Sequence, residues 1–277
     1  MNIQTAGAIH SQSEASHLLT FYAVANIPNT PKDIEFLSET IVDLSPAAQF
    51  GIHIGGIISS VNECNRTVYN KVEEILRLSP VPFLAIPGDH DWSDCTNSHV
   101  ALESWRSSLG SLGENISRQP ERPENFAFLM DDVLILGLNI IGKYSRHGGL
   151  EQEKHDNDNI RWTNENLSLH QESIRAVFIF GHAAPNVSQY EGFFHHLKYG
   201  FNYQNVDIPI LYVHGGMAQG KVPNEIYSPY IDMDINLHAV QVKSGGIESP
   251  LKVMLSENEI GQSTFILDQE TDQLFLL

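Results

Sequence analysis

Asparagine, aspartate, histidine and glycine stand at five places where an apolar run stops. These are Ala25-Asn26, Gly55-Gly56, Gly88-Asp89-His90-Asp91, Gly181-His182 and His214-Gly215-Gly216. Carboxylate, amide and imidazole side chains move protons or hold divalent cations, so a cluster of them is a candidate for acid–base or metal chemistry. Strand ends often carry such residues as ordinary turn formers. Five in succession at the carboxyl ends of strands, where open α/β sheets bind their ligands, are a more specific signal. Other chemistries are missing: there is no Gly-x-Ser-x-Gly elbow and no glycine-rich phosphate loop. The two cysteines, Cys64 and Cys95, lack a zinc-type spacing. They form either one disulfide closing a loop of about 30 residues or two reduced thiols.

The elements that position these turns alternate along the chain. Strands are expected over Leu18–Ala25, Phe50–Gly55 and Pro82–Pro87, with helices over Pro31–Leu44 and Arg66–Leu78 between them. Thr30 and Pro31 suit the cap and first turn of the first helix. Strand–helix–strand alternation with short links means parallel strands joined by crossovers. Further on, a helix is expected over His99–Leu109 and a hairpin around Asp131-Asp132. A polar loop or flap is expected over Gly142–Asp158, then a helix over Asn159–Gln171. A strand follows over Arg175–Phe180, a short helix over Tyr190–Tyr199 and a strand over Ile208–Val213. The last strands are expected over Tyr230–Val242, Leu251–Leu255 and Ser263–Leu267. The organisation expected is a polar tail over 1–17 and one α/β domain over 18–277, with a mixed sheet or two stacked sheets.

The order of these motifs resembles the calcineurin-like metallophosphoesterases. It is most similar to a subgroup whose third motif reads Pro-Gly-Asp-Asn-Glu-Trp followed by Asp-Cys. The matching stretch runs from Pro87 through Gly88, Asp89, His90, Asp91, Trp92, Ser93 and Asp94 to Cys95. The resemblance extends from about Phe21 to about Val253 and includes Phe50 to Ile57, Leu138-Asn139, Trp162 and Leu211 to Gly215. It implies a two-sheet sandwich flanked by helices, a four-layer α/β/β/α fold, with a two-metal site at the strand ends.

Carried over by motif, the implied ligand set is incomplete. The first motif's aspartate falls on Asn26 and its optional histidine on Pro28. The metal-bridging aspartate falls on Gly56, which has no side chain. The third motif places Asp89 and His90 at its ligand and proton-donor positions, and the fourth keeps its histidine as His182. The last motif falls on Gly215-Gly216-Met217-Ala218, so both of its ligands are gone, and His214 precedes it. Two divalent cations about 4 Å apart repel by on the order of 16 kcal/mol at an effective dielectric near 20. Losing the bridging carboxylate removes the charge that offsets this.

The expectation is therefore a degenerate phosphoesterase-like domain that binds a small polar ligand or a protein partner without hydrolysis. Its pocket would be lined by Asn26, Gly56, Asp89, His90, His182 and His214, and wider than in active relatives. No cofactor is expected, with one weakly held divalent cation as the alternative. Two further readings stand beside it: a remodelled enzyme using Asp89, His90 and His182, or a metal-dependent phosphatase with other ligands. Among the remaining residues, His53 reads as a core or supporting histidine, His195-His196 as surface, and Glu151–Asp158 as a solvated acidic loop. Four Asn-x-Ser/Thr triplets, at Asn65, Asn115, Asn166 and Asn186, fit the glycosylation pattern only weakly.

Composition sets the outer limits. Of the 277 residues, 16 are basic and 34 acidic, a formal charge of −18. Nucleic acid needs the opposite sign, and so does an anionic membrane surface. Hydrophobic residues at 42% and charged residues at 18% suffice for a buried core. No apolar run is long enough to span a bilayer, and the first residues do not read as a signal peptide.

Overall fold

A computed structural model describes residues 16–57, 64, 66–113, 116–142, 148–185, 191–199, 208–216, 237–243, 249–258, 261–268 and 275–276. The first sheet takes shape from β1 (Ser16–Val24), α1 (Pro31–Val42), β2 (Phe50–Ile54), α2 (Arg66–Leu76) and β3 (Phe83–Ile86). Then come two helices, α3 (Asp89–Trp92) and α4 (Ser98–Arg106), and the strands β4 (Ser117–Arg118), β5 (Phe126–Met130) and β6 (Val133–Gly137). Helix α5 (Gly148–His170), β7 (Ala176–Gly181), α6 (Glu191–Tyr199) and β8 (Ile210–His214) follow. The chain closes with β9 (Leu237–Gln241), β10 (Leu251–Glu257), β11 (Ser263–Asp268) and β12 (Phe275–Leu276).

Two six-stranded sheets result, ordered β12-β11-β10-β1-β2-β3 and β4-β5-β6-β7-β8-β9. Each has a parallel part, β1-β2-β3 in one and β6-β7-β8-β9 in the other, flanked by antiparallel strands. The parallel strands are apolar on both faces, as burial between a second sheet and a helical layer requires. Along β1, Leu19, Phe21 and Ala23 point into the space between the sheets, while Tyr22 and Val24 point to α1 and α2. Along β7, Phe178 and Phe180 face the first sheet, whereas Val177 and Ile179 face α5 and α6. Phe21 stacks on Phe50 at 5.0 Å and meets Phe178 and Phe180 edge-on at 4.9 and 5.2 Å. That aromatic cluster joins the sheets, and the architecture is the four-layer α/β/β/α sandwich anticipated above.

Local signals at the start of α1 act as expected. Thr30 accepts from Asp33 N, and the Asp33 carboxylate accepts from Thr30 N at 2.8 Å, a reciprocal cap. The stretch from Gly148 is a different case: it is helical, not a loop, and α5 runs for 23 residues. Its inward face carries His155, Asp158, Asn159, Thr163 and Asn166, all buried. A helix whose buried face is polar has no apolar stripe to reveal it. Beside the apolar contacts of Trp162 and Leu167 it docks on a buried polar network: Asn125 Nδ2 donates to Asn159 Oδ1 at 2.7 Å, and Gln119 Nε2 donates to Asp158 O at 2.9 Å. Glu151–Asp158 is therefore not a solvated loop, for within it His155 and Asp158 are buried.

Of the strand expected over Tyr230–Val242, Leu237–Gln241 is strand, Val242 follows it, and 230–236 lie outside the described residues. Asn65, Asn115 and Asn186 also lie outside them. Asn166 is buried and donates to Trp162 O at 2.8 Å, so that triplet is closed to a glycan. Among the described residues no helix is long and apolar enough to cross a membrane.

Candidate functional site

The five turns do converge at the carboxyl ends of β1, β2, β3, β7 and β8, and protein-to-protein bonds hold them together. Asn26 ends β1 in the left-handed region (φ 55°), where asparagine is tolerated. Its amide Nδ2 crosses to the second sheet and donates to Gly215 O at 2.6 Å. His182, at the end of β7, crosses the other way. Its Nδ1 lies 2.7 Å from Ile54 O on β2 and its Nε2 lies 2.9 Å from Asp89 Oδ1 on α3.

Both partners of His182 are acceptors, an environment that favours the doubly protonated ring. Burial opposes the charge, but the bond and attraction to Asp89 outweigh it and raise the pKa to about 9. Burial likewise opposes the charge on Asp89, and His182 overcomes it, holding that carboxyl down to about 2. The two form a buried ion pair. His214 is the contrary case. Burial drives its pKa down to about 3 despite a contact from Nδ1 to Gly216 O at 3.2 Å, so it is neutral. Burial also pushes the pKa of His53 down, and its Nε2 donates to Ile27 O at 2.7 Å. That is the supporting role read from the sequence.

Gly56 does not open a wide pocket. It sits at φ 78°, and a Cβ added there would lie 2.3 Å from Asn26 Oδ1. The volume an aspartate would need is filled by the Asn26 amide. Gly88 permits a similar approach, for a Cβ there would stand 2.9 Å from His182 Nδ1. His90 turns away from this centre. It is largely exposed and pairs with Asp94 at 2.8 Å on the outside of the α3 turn. Met217 and Ala218 lie outside the described residues. Of the surface histidines, His195 is exposed, and His196 meets Asn164 while Phe193 and Phe194 bury beside it.

One residue not singled out from the sequence organises the centre. Asp91 is fully buried, and its carboxylate accepts from Gly56 N at 3.0 Å, Ile57 N at 2.7 Å and Gly88 N at 2.8 Å. It ties the turn after β2 to the turn after β3, and Tyr69 OH on α2 donates to its carbonyl. The available signal was an acidic residue at the third position of a helix that opens after glycine, where a carboxylate meets unpaired N–H groups.

A pair of divalent cations does not fit these donors. Gly56 offers none, the Asn26 amide is turned to Gly215, and both nitrogens of His182 face protein acceptors. Among the described residues no three His, Cys, Asp or Glu side chains gather as a metal would require.

No protein-family model matches the sequence, and no curated protein matches it. Solved structures do share the fold. One is GAP50, described as the anchor in the inner membrane complex of Plasmodium. It aligns at 15% identity with a TM-score of 0.54 over 95% of this chain and 89% of that one. Another is the purple acid phosphatase PPD1 from yellow lupin (Lupinus luteus) seeds, at 11% identity and a TM-score of 0.50. There the alignment covers 93% of this chain and 52% of the phosphatase, about half its length. At these identities the likeness is one of fold.

Proposed function

We propose that this chain is a degenerate member of the calcineurin-like phosphoesterase superfamily that binds a protein partner or a small polar ligand without hydrolysing phosphate esters. The carrying observation is the Asp89–His182–Ile54 bridge, which commits both ring nitrogens of His182 to protein acceptors. An imidazolium so held is neither a metal ligand nor a general base, which counts against a two-metal phosphatase and a remodelled acid–base enzyme alike. The lack of a side chain at Gly56, where the resemblance puts the bridging carboxylate, supports the same reading. That one similar fold belongs to a protein described as an anchor supports a binding role. The charge of −18 disfavours nucleic acid as the partner.

The test is metal content after purification without chelators, together with hydrolysis of an aryl phosphate in added Mn²⁺. The expected result is no stoichiometric metal and no turnover. Two bound metals, or turnover in the range of about 1–10³ s⁻¹ usual for enzymes, would overturn the proposal.

A further inference from the structure

Cys64 and Cys95 form a disulfide with their Cα atoms 6.0 Å apart, bridging a sequence separation of 31 residues. The pair lies directly on the α3 turn that presents Asp89 and Asp91. Both sulfurs face the carbonyl oxygen of His90, Cys64 Sγ at 3.9 Å and Cys95 Sγ at 3.5 Å. A disulfide sulfur has no hydrogen to donate, whereas a thiol is a donor. Among the described residues the backbone bonds that close the turn go elsewhere: Ser93 N and Asp94 N donate to Asp89 O, and Cys95 N donates to Trp92 O. The His90 carbonyl therefore stands within reach of the S–H groups that reduction would create.

Two more features make the reduced state compatible with the fold. Cys95 is buried against Trp92, Ala101, Leu102 and Ile141, a setting that suits a neutral thiol. The turns after β2 and β3 stay joined without the disulfide, because the Asp91 carboxylate binds N–H groups on both. Cys64 is partly exposed, which gives an incoming thiolate access to its sulfur.

We infer that Cys64–Cys95 is a reversible redox clip on the α3 turn, opened by a dithiol reductant while the domain remains folded. A thiolate of the reductant attacks Cys64 Sγ, the S–S bond breaks, and Cys95 leaves as a thiolate that takes up a proton. The reductant's second thiol then attacks the mixed disulfide. This releases Cys64 as a thiol and leaves the reductant as a disulfide, two electrons and two protons having passed to the protein. The inference stands apart from whether the domain hydrolyses anything.

The test uses the full chain, oxidised and then treated with dithiothreitol without denaturant. Alkylation and mass measurement count the thiols, and hydrogen exchange is followed over 88–95. Expected are two alkylated thiols, an unchanged far-ultraviolet circular dichroism spectrum, and exchange over 88–95 at least threefold faster, reversed on reoxidation. The C64S/C95S double variant should show no response to dithiothreitol. Reduction that occurs only in denaturant, loss of the folded spectrum on reduction, or unchanged exchange over 88–95 would overturn the inference. So would a response to dithiothreitol in a folded double variant. If that variant does not fold, the wild-type comparison decides by itself.

Discussion

His182 and Asp89 join the two sheets: Nε2 of the ring lies 2.9 Å from Asp89 Oδ1, while Nδ1 is bound to the β2 carbonyl of Ile54. Through these two contacts one side chain fixes the end of β7 to the end of β2 and to the turn after β3.

Removing one partner strands the other. Asp89→Asn should leave a buried imidazolium without its counter-charge and cost on the order of 3 kcal/mol. That is the low end for breaking a buried pair, because Asp89 keeps some contact with solvent. The folded pKa of His182, about 9, lies above the ordinary 6.5, so its stabilisation is complete below 6.5 and is lost as pH rises through 9. Asp89, at about 2 against 3.8, contributes fully above 3.8 and loses its contribution as pH falls through 2. The gap between parent and variant should therefore be widest between 3.8 and 6.5 and narrow above 9. Urea unfolding across that range measures it, and a gap that does not vary with pH would remove the ion pair from the explanation.

Restoring the bridging carboxylate should fail. Gly56→Asp puts a side chain at φ 78°, with its Cβ 2.3 Å from Asn26 Oδ1. The left-handed backbone alone costs about 1–2 kcal/mol, and the displaced Asn26 amide adds to it. The variant should melt lower and bind no more Mn²⁺ than the parent in calorimetric titration.

Asp91→Ala should be among the most damaging single changes. Three buried N–H groups would lose their acceptor, at about 1–3 kcal/mol each. Asp91→Asn should cost less. Its one oxygen can serve Gly56 N and Gly88 N, leaving the amide NH₂ against Ile57 N. Denaturant midpoints that rank Asn at or below Ala would contradict this geometry.

A parallel contrast tests the polar network beneath α5. Glu124 is fully buried, receiving Arg106 Nε at 2.9 Å and Asn139 Nδ2 at 2.9 Å. Glu124→Ala should cost about 3 kcal/mol, because Asn139 loses its acceptor and Arg106 keeps only Glu103. Glu165→Ala, on the exposed face of the same layer, should stay within about 0.5 kcal/mol. Thermal unfolding of both variants gives the comparison.

Much of this fold was legible in the residues themselves. The runs that became β1, β2, β3, β7 and β8 are apolar on both faces, and burial on both faces leaves a pattern any reader of hydropathy finds. Thr30 and Pro31 mark the start of α1 because capping is settled within four residues. Gly56, too, declares from the sequence that no side chain stands at that turn.

What tertiary structure alone decided are the relations between polar groups far apart in the chain. Ile54 and His182 are 128 positions apart, and Gly56 and Asp91 are 35 apart. The same is true of the first half of α5, whose buried residues His155 and Asp158 are polar and so resemble a solvated stretch until Gln119 is placed opposite them. It is true as well of His90, which the motif grouped with Asp89 but whose ring turns to Asp94. Hydrophobic burial is a property each residue carries singly and is written along the chain. Hydrogen bonds and ion pairs belong to pairs, so the protonation of His182 and the filling of the Gly56 turn by Asn26 exist only once both members have been brought together.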